Sequence, residues 1–302
     1  MPYIRPQRTF KNMLRTFLMA WAMLTCLVMG HAQDKPAYQL FDKAGQPVTY
    51  AQMLDTLLQA QVIFFGELHN NPIAHWLQLE LSHDLHDAVG ARLRLGAEMF
   101  EADNQLLLDE YLQGYISENN FEEEARLWKN YGTDYKPLVQ MALRDSLAFI
   151  ATNVPRRYAN LVFRQGLEGL DSLSSEARSY LAPLPIEFDP ELPGYRSMVE
   201  MMGGHGGDAS LNLPMAQAIK DATMAHFIGR HARPEGIFLH FNGAYHSDNY
   251  EGILWYLQRY RPELGLATIS TLELEDIGSL PEENWGKADF IIAIPATMTK
   301  TY

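Results

Sequence analysis

Three stretches of the chain carry titratable side chains directly after short apolar runs. Gln-Val-Ile-Phe-Phe at 61–65 leads into Gly66-Glu67-Leu68-His69. Leu93 to Ala97 leads into Glu98, within Gly96-Ala97-Glu98-Met99-Phe100-Glu101. Ile237 to Phe241 leads into Asn242-Gly243-Ala244-Tyr245-His246. Two imidazoles with one or two carboxylates are enough to hold a divalent metal and leave one position open. On that reading His69, Glu98, His246 and Glu67 form the metal set, and Glu67 acts as base on a bound water. The same groups can supply an acid, a base and an axial ligand beside a cofactor iron. Tyr245 and Tyr135 add phenol oxygens, as iron ligands or as packing residues.

Each residue alone has a plainer reading. A histidine after a strand can simply organise a loop, and Glu98 is costly to bury unless it pairs, for example with an arginine. The spacing Gly-x-x-His occurs after two separate strand candidates, which ties His69 to His246. His75, one turn beyond His69, can support it. His240 falls inside an apolar run and reads as packed. His83 and His86 fall on a helix and read as solvated. His205 lies in Gly203-Gly204-His205-Gly206-Gly207, a stretch expected to resist ordering because glycine loses the most backbone freedom.

Strands and helices alternate around these residues. The spacing predicts strands at 61–65, 93–97, 147–152, 237–241, 266–271 and 290–294, each short and apolar. It predicts helices at 73–89, 104–115, from 157, at 217–231 and at 250–260. Pro72 opens the first of them, and Leu77, Leu81 and Leu85 recur every four residues. The expected fold class is α/β, a mainly parallel sheet flanked by helices. In such a sheet the carboxyl ends of the strands share one edge, where ligands bind. Two stretches, 118–137 and 172–214, break the rhythm and read as insertions forming a small helical subdomain. No linker divides the chain, so residues 33–302 read as one domain.

The opening segment addresses the compartment. Arg5, Arg8, Lys11 and Arg15 precede an apolar run from Phe17 to Met29, then Gly30-His31-Ala32. That is the pattern of a secretory signal peptide over residues 1–32, shorter than the roughly 20 apolar residues of a membrane span. Export to the periplasm or the outer membrane is expected. An uncleaved anchor is the alternative. A lipoprotein would need acylation of Cys26, but Met23-Leu24-Thr25 is a poor lead-in. Cys26 is the only cysteine, so cleavage after Ala32 leaves no disulfide and no thiolate site. Removing residues 1–32 leaves 20 basic and 37 acidic residues, a net charge of −17. That argues against a nucleic-acid partner, which needs clustered Lys and Arg.

Taken in order, several motifs resemble the ChaN-like family. They are Phe65-Gly66-Glu67-Leu68-His69, Gly96-Ala97-Glu98-Met99-Phe100-Glu101, Tyr135-Lys136-Pro137-Leu138, Asn153-Val154-Pro155-Arg156, Lys220-Asp221-Ala222-Thr223-Met224-Ala225 and Gly243-Ala244-Tyr245-His246. The likeness runs from about Val62 to about Leu257. It implies a haem-binding protein of iron uptake or trafficking, related to the Tiki and TraB-type proteins. Glu67, His69, Glu98 and His246 match the family's polar core, and Arg156 and Asp221 match motif positions of structural character. The implied cofactor is haem, held by His69, His246, Tyr245 or Tyr135 and walled by Met99, Phe100 and Trp128. The wider group implies the alternative, a metal-dependent hydrolase with a divalent ion. Expected partners are haem or another small molecule, outer-membrane uptake machinery and a second copy of the chain.

Overall fold

Successive side chains of a strand face opposite sides of a sheet, and the buried residues of the second strand divide that way. Ile63 and Phe65 enter one apolar layer, Val62 and Phe64 the other. Each fully buried side chain of this kind contributes about 1.5–3 kcal/mol relative to exposure. A strand buried on both faces is the mark of a sheet covered by helices on both sides.

The computed structural model describes residues 35–201 and 211–302. The N-terminal segment with Cys26, and the Gly203–Gly207 stretch with His205, lie outside the described residues. A compact unit, Tyr38–Tyr302, carries every element named below. The strands are β1 (Gln39–Asp42), β2 (Val62–Glu67), β3 (Leu93–Glu101), β4 (Ala148–Asn153), β5 (Ile237–Gly243), β6 (Leu266–Leu274) and β7 (Phe290–Pro295). Their order across the sheet is β1-β7-β6-β2-β5-β3-β4. Every neighbouring pair is parallel except β1 with β7. The expected α/β class with a mainly parallel sheet is therefore observed.

One face is covered by α1 (Tyr50–Leu57), α2 (Pro72–Val89), α3 (Gln105–Leu112), α4 (Glu118–Glu124) and α5 (Lys136–Asp145). The other is covered by α6 (Arg156–Gln165), α8 (Pro193–Met201), α9 (Asn212–His231) and α10 (Ile253–Tyr260), while the short α7 (Ser175–Arg178) buries no side chain. The insertion at 118–137 sends Phe121, Tyr131 and Tyr135 into the first layer. The described part of 172–214 sends Leu181, Ile186 and Tyr195 into the second. The insertions are helical, but each joins a different layer of the main core.

Three elements escape the sequence reading, among them α5, most of which lies beyond the 118–137 insertion. β1 is a four-residue edge strand, too short to show alternation. α1 begins at a capping box in which Thr49 and Gln52 bond reciprocally, a signal that Thr-x-x-Gln does carry. α9 starts at Asn212, five residues before the expected Gln217.

The strand order matters most for function. β2, β5 and β3 are consecutive in the sheet, so the three loaded strand ends lie side by side. β3 continues past Ala97 to Glu101, and its register against β4 shifts between those residues. A shift of this kind re-aims side chains, and such irregularities gather near functional sites.

Candidate functional site

Glycine is what lets the three strand ends close on one another. A Cβ on Gly66 would lie 2.9 Å from the Cα of Ala244 and 2.9 Å from the Ile269 carbonyl oxygen. A Cβ on Gly243 would lie 2.8 Å from both Cε1 and Nε2 of His69. Both glycines of the repeated motif therefore sit where a neighbouring strand end or ring leaves no room for a side chain.

The second histidine is buried between two carboxylates. His246 Nε2 lies 3.2 Å from Glu98 Oε1, and Nδ1 lies 2.5 Å from Asp221 Oδ1. Glu98 Oε2 also accepts the Gly243 N–H at 2.8 Å, and Asp221 Oδ2 accepts the Tyr195 O–H at 2.8 Å. The Gln217 amide sits against the ring, 3.0 and 3.1 Å from its two nitrogens. Burial alone would discharge the imidazole, but the charges of Glu98 and Asp221 outweigh it and raise the pKa to about 10. Glu98 is likewise opposed by burial, yet His246⁺ holds it well below the usual carboxylate range. Both ring nitrogens of His246 are thus engaged by carboxylates.

The first histidine is arranged differently. Its Nδ1 lies 2.9 Å from Glu67 Oε1, and its side chain is 36% exposed. Its ring stands edge-on to Trp128, with centroids 4.9 Å apart. Glu67 is itself buried and fully occupied. Oε1 also accepts the Tyr135 O–H at 2.6 Å, and Oε2 accepts Gln78 Nε2 at 2.5 Å. The His69 carbonyl is held by Asn130 Nδ2 at 2.9 Å and lies 3.1 Å from His75 Nε2. A carboxylate on Nδ1–H fixes the tautomer and turns Nε2 into the acceptor. Burial lowers the His69 pKa, but the Glu67 hydrogen bond and the Glu98 charge reverse the sign and leave it raised.

Both arrangements open on a cleft of about 880 Å³, within the range of roughly 300–1,000 Å³ typical of small-molecule sites. Leu68, Leu127, Trp128, Val154 and Met198 supply apolar wall. Lys129 and Lys220 supply positive charge, and neither pairs with a carboxylate among the described residues. Arg156 also lines the cleft but is engaged with Glu101 at 2.5 Å. Asn153 donates to the Glu98 carbonyl at 3.0 Å, while its Oδ1 is buried without a donor among the described residues. A buried orphan acceptor on a cleft wall asks for a ligand or water donor.

The structure thus brings Glu67, His69, Glu98, Tyr245 and His246 to one cleft. Tyr135 lies behind it, its hydroxyl donating to Glu67 and its pKa driven far upward by burial and then by the Glu67 charge. The Tyr245 hydroxyl donates to the Gly194 carbonyl at 2.5 Å, and burial raises its pKa. Met99 and Phe100, expected as walls, are core residues. Their positions on the bulged end of β3 turn them into the first layer; Trp128 does line the cleft. Glu98 pairs with a histidine rather than an arginine. His240 is packed as expected, 2.8 Å from Thr152 Oγ1, and burial lowers its pKa to about 4.

Sequence reasoning missed Gln78, Asn130, Gln217 and Asp134, whose Oδ2 accepts from Asn130 Nδ2 at 2.7 Å and lies 3.4 Å from His75 Nε2. Gln78 sits three residues after His75 on α2, and its faces on that helix were readable. The other three come together only in the fold. The metal reading gains no support. Among the described residues no three His, Cys, Asp or Glu side chains converge as a metal site. The geometry says why: the nitrogens of His246 are spent on carboxylates, and Glu67 is filled by three donors.

A family model described as haem-binding uptake, Tiki superfamily, ChaN matches residues 53–257. The fold is similar to the structure of ChaN of Campylobacter jejuni with cofacial haem binding, at a TM-score of 0.65 and 16% identity, over 86% of this chain and 98% of that one. It is also similar to a mutant of the erythromycin esterase EreC in its open conformation, at a TM-score of 0.50 and 12% identity, over 86% and 98%. No curated protein matches.

Proposed function

The chain belongs to the haem-binding uptake family of the Tiki superfamily, ChaN, and on that premise we propose that it binds haem in the cleft at the ends of β2, β3 and β5, with His69 as the iron ligand. One observation carries the choice of residue. Of the four candidates, His69 alone pairs a partly exposed ring with an Nε2 that bonds to no acceptor among the described residues, its Nδ1 being anchored on Glu67. His246 is closed by Glu98 and Asp221, Tyr135 is buried on Glu67, and Tyr245 donates to Gly194.

The rest of the cleft suits the group. Apolar walls match a macrocycle, and Lys129 and Lys220 match carboxylate side arms. Haem, when bound, would supply an iron centre that accepts a protein base and is tuned by that base's hydrogen bonds. Here Glu67 would strengthen His69 as a donor by accepting its Nδ1–H. A proton on Nε2 competes with iron, so the raised His69 pKa makes binding weaken as pH falls.

The proposal extends to export, supported by the basic and apolar pattern of residues 1–32, and to haem or iron uptake or trafficking, supported by the family. Outer-membrane uptake machinery and a second copy of the chain are the partners that role suggests. A hemin titration of the chain lacking residues 1–32 tests the core of the proposal. A saturable Soret band is expected; no spectral change at micromolar hemin would sink it. Cell fractionation tests export: recovery in the cytoplasm alone would overturn that part.

A further inference from the structure

At the other end of the sheet arginines gather. Arg92 precedes β3, Arg94 is its second residue, and Arg230 and Arg233 leave α9 on the way into β5. From Arg94 to Glu101 the strand rise alone is roughly 23 Å, so this end is remote from the haem cleft. Arg92, Arg94 and Arg233 line a pocket of about 390 Å³ with Pro234 and Gly236.

None of these four arginines forms an ion pair among the described residues; the arginines that do so lie elsewhere. Arg92 is pinned by donating from Nε to the Val89 carbonyl at 3.2 Å and from Nη1 to the Glu235 carbonyl at 3.3 Å. Arg94 is partly buried, and burial together with the charge of Arg233 lowers its pKa. His231 nearby is lowered by burial and then by Arg94, Arg230 and Arg233, with Asp109 acting weakly the other way. Like charges are thus gathered in a concave site, with no carboxylate paired to them among the described residues. Glu235 lines the pocket, but its carboxylate lies within 4.0 Å of none of the arginines.

We propose that this arginine pocket is a second binding site, for a small phosphate-bearing anion. Guanidinium forks bind phosphate oxygens in pairs, and three forks line one space: Arg92 from the turn before β3, Arg94 from β3 and Arg233 from the α9–β5 turn. The size of the pocket admits a phosphomonoester as well as inorganic phosphate. The net charge of −13 repels extended polyanions, which favours a small ligand over an anionic membrane or a nucleic acid.

Calorimetric titration of the full chain with inorganic phosphate, and separately with glycerol phosphate, tests the site. Saturable one-to-one binding is expected, weakened roughly tenfold to a hundredfold in Arg94→Gln and in Arg233→Gln, the range for losing one or two charge-assisted hydrogen bonds. Arg233 is exposed, so its variant stays informative if Arg94→Gln fails to fold. Glu235→Gln should bind more tightly. Hemin titration should be unchanged in Arg233→Gln, which separates this site from the haem cleft. No saturable binding at millimolar phosphate, equal binding by wild type and Arg233→Gln, or binding only to anionic vesicles would each overturn the proposal.

Discussion

His69 and His246 follow the same Gly-x-x-His spacing, after neighbouring parallel strands, yet they meet opposite environments. His246 is closed off between Glu98 and Asp221, with Gln217 against its ring. His69 rests on one carboxylate, Glu67, and presents its other edge to the cleft. The first arrangement consumes every proton and lone pair of the imidazole inside the protein. The second leaves one nitrogen for something else. A shared motif fixes where the two rings stand; the number of carboxylates within reach decides whether a ring serves the fold or a ligand.

The comparison breaks most forcefully at His246. Replacing it by alanine leaves two buried carboxylates uncompensated, and breaking such a pair costs about 3–5 kcal/mol. Urea unfolding of H246A should show a loss of that size; a loss below about 1 kcal/mol, the scale of an exposed ion pair, would mean that the charges are not buried as described.

The same triad sets a pH dependence. His246 titrates near 6.5 when unfolded and near 10 when folded, so its contribution is complete below about 6.5 and is lost as pH rises toward 10. Glu98 shifts the other way, from 4.5 downward, so its contribution is present above about 4.5 and fades as pH falls below that. Denaturation midpoints should therefore peak between about 4.5 and 6.5 and decline on the alkaline side. In H246A the alkaline decline should vanish; its persistence would assign it to another group.

Gly243→Ala sharpens the other half. The added methyl would stand 2.8 Å from the His69 ring, and overpacking of that kind costs about 1–3 kcal/mol if the ring stays in place. The ring is half-exposed and can move instead, so hemin affinity should fall more than stability does. Equal hemin binding in G243A and wild type would show that the ring position does not matter. The smallest effect belongs to the rim. Lys129→Ala and Lys220→Ala should each weaken hemin binding only a few-fold, as fits an exposed charge contact of about 0.2–1 kcal/mol, and the effect should shrink in high salt. An undiminished effect at 1 M salt would argue against a charge contact.

Much of this was legible in the sequence because parallel strands are short, apolar and end abruptly. Gln61–Phe65 and Ile237–Phe241 announce β2 and β5, and the residues after them announce the site. Strand order is not local information, so nothing in the chain said that β2, β5 and β3 are adjacent, although the convergence depends on it. The asymmetry between the two histidines was equally hidden. Asp221 lies 25 residues before His246 on α9, and no spacing rule predicts that contact. Met99 and Phe100 were misplaced for a related reason: the register shift at the end of β3 decides which way they face, and the sequence does not display it.

The most direct test of this division of labour is a hemin titration of His69→Ala, followed by the Soret band, on protein whose urea stability has been measured. Stability within about 1 kcal/mol of wild type is expected, as fits loss of a partly exposed pair, with a hemin affinity reduced at least roughly tenfold, the equivalent of about 1.4 kcal/mol. A wild-type Soret band at wild-type affinity in H69A would contradict it and return the search for the iron ligand to Tyr245.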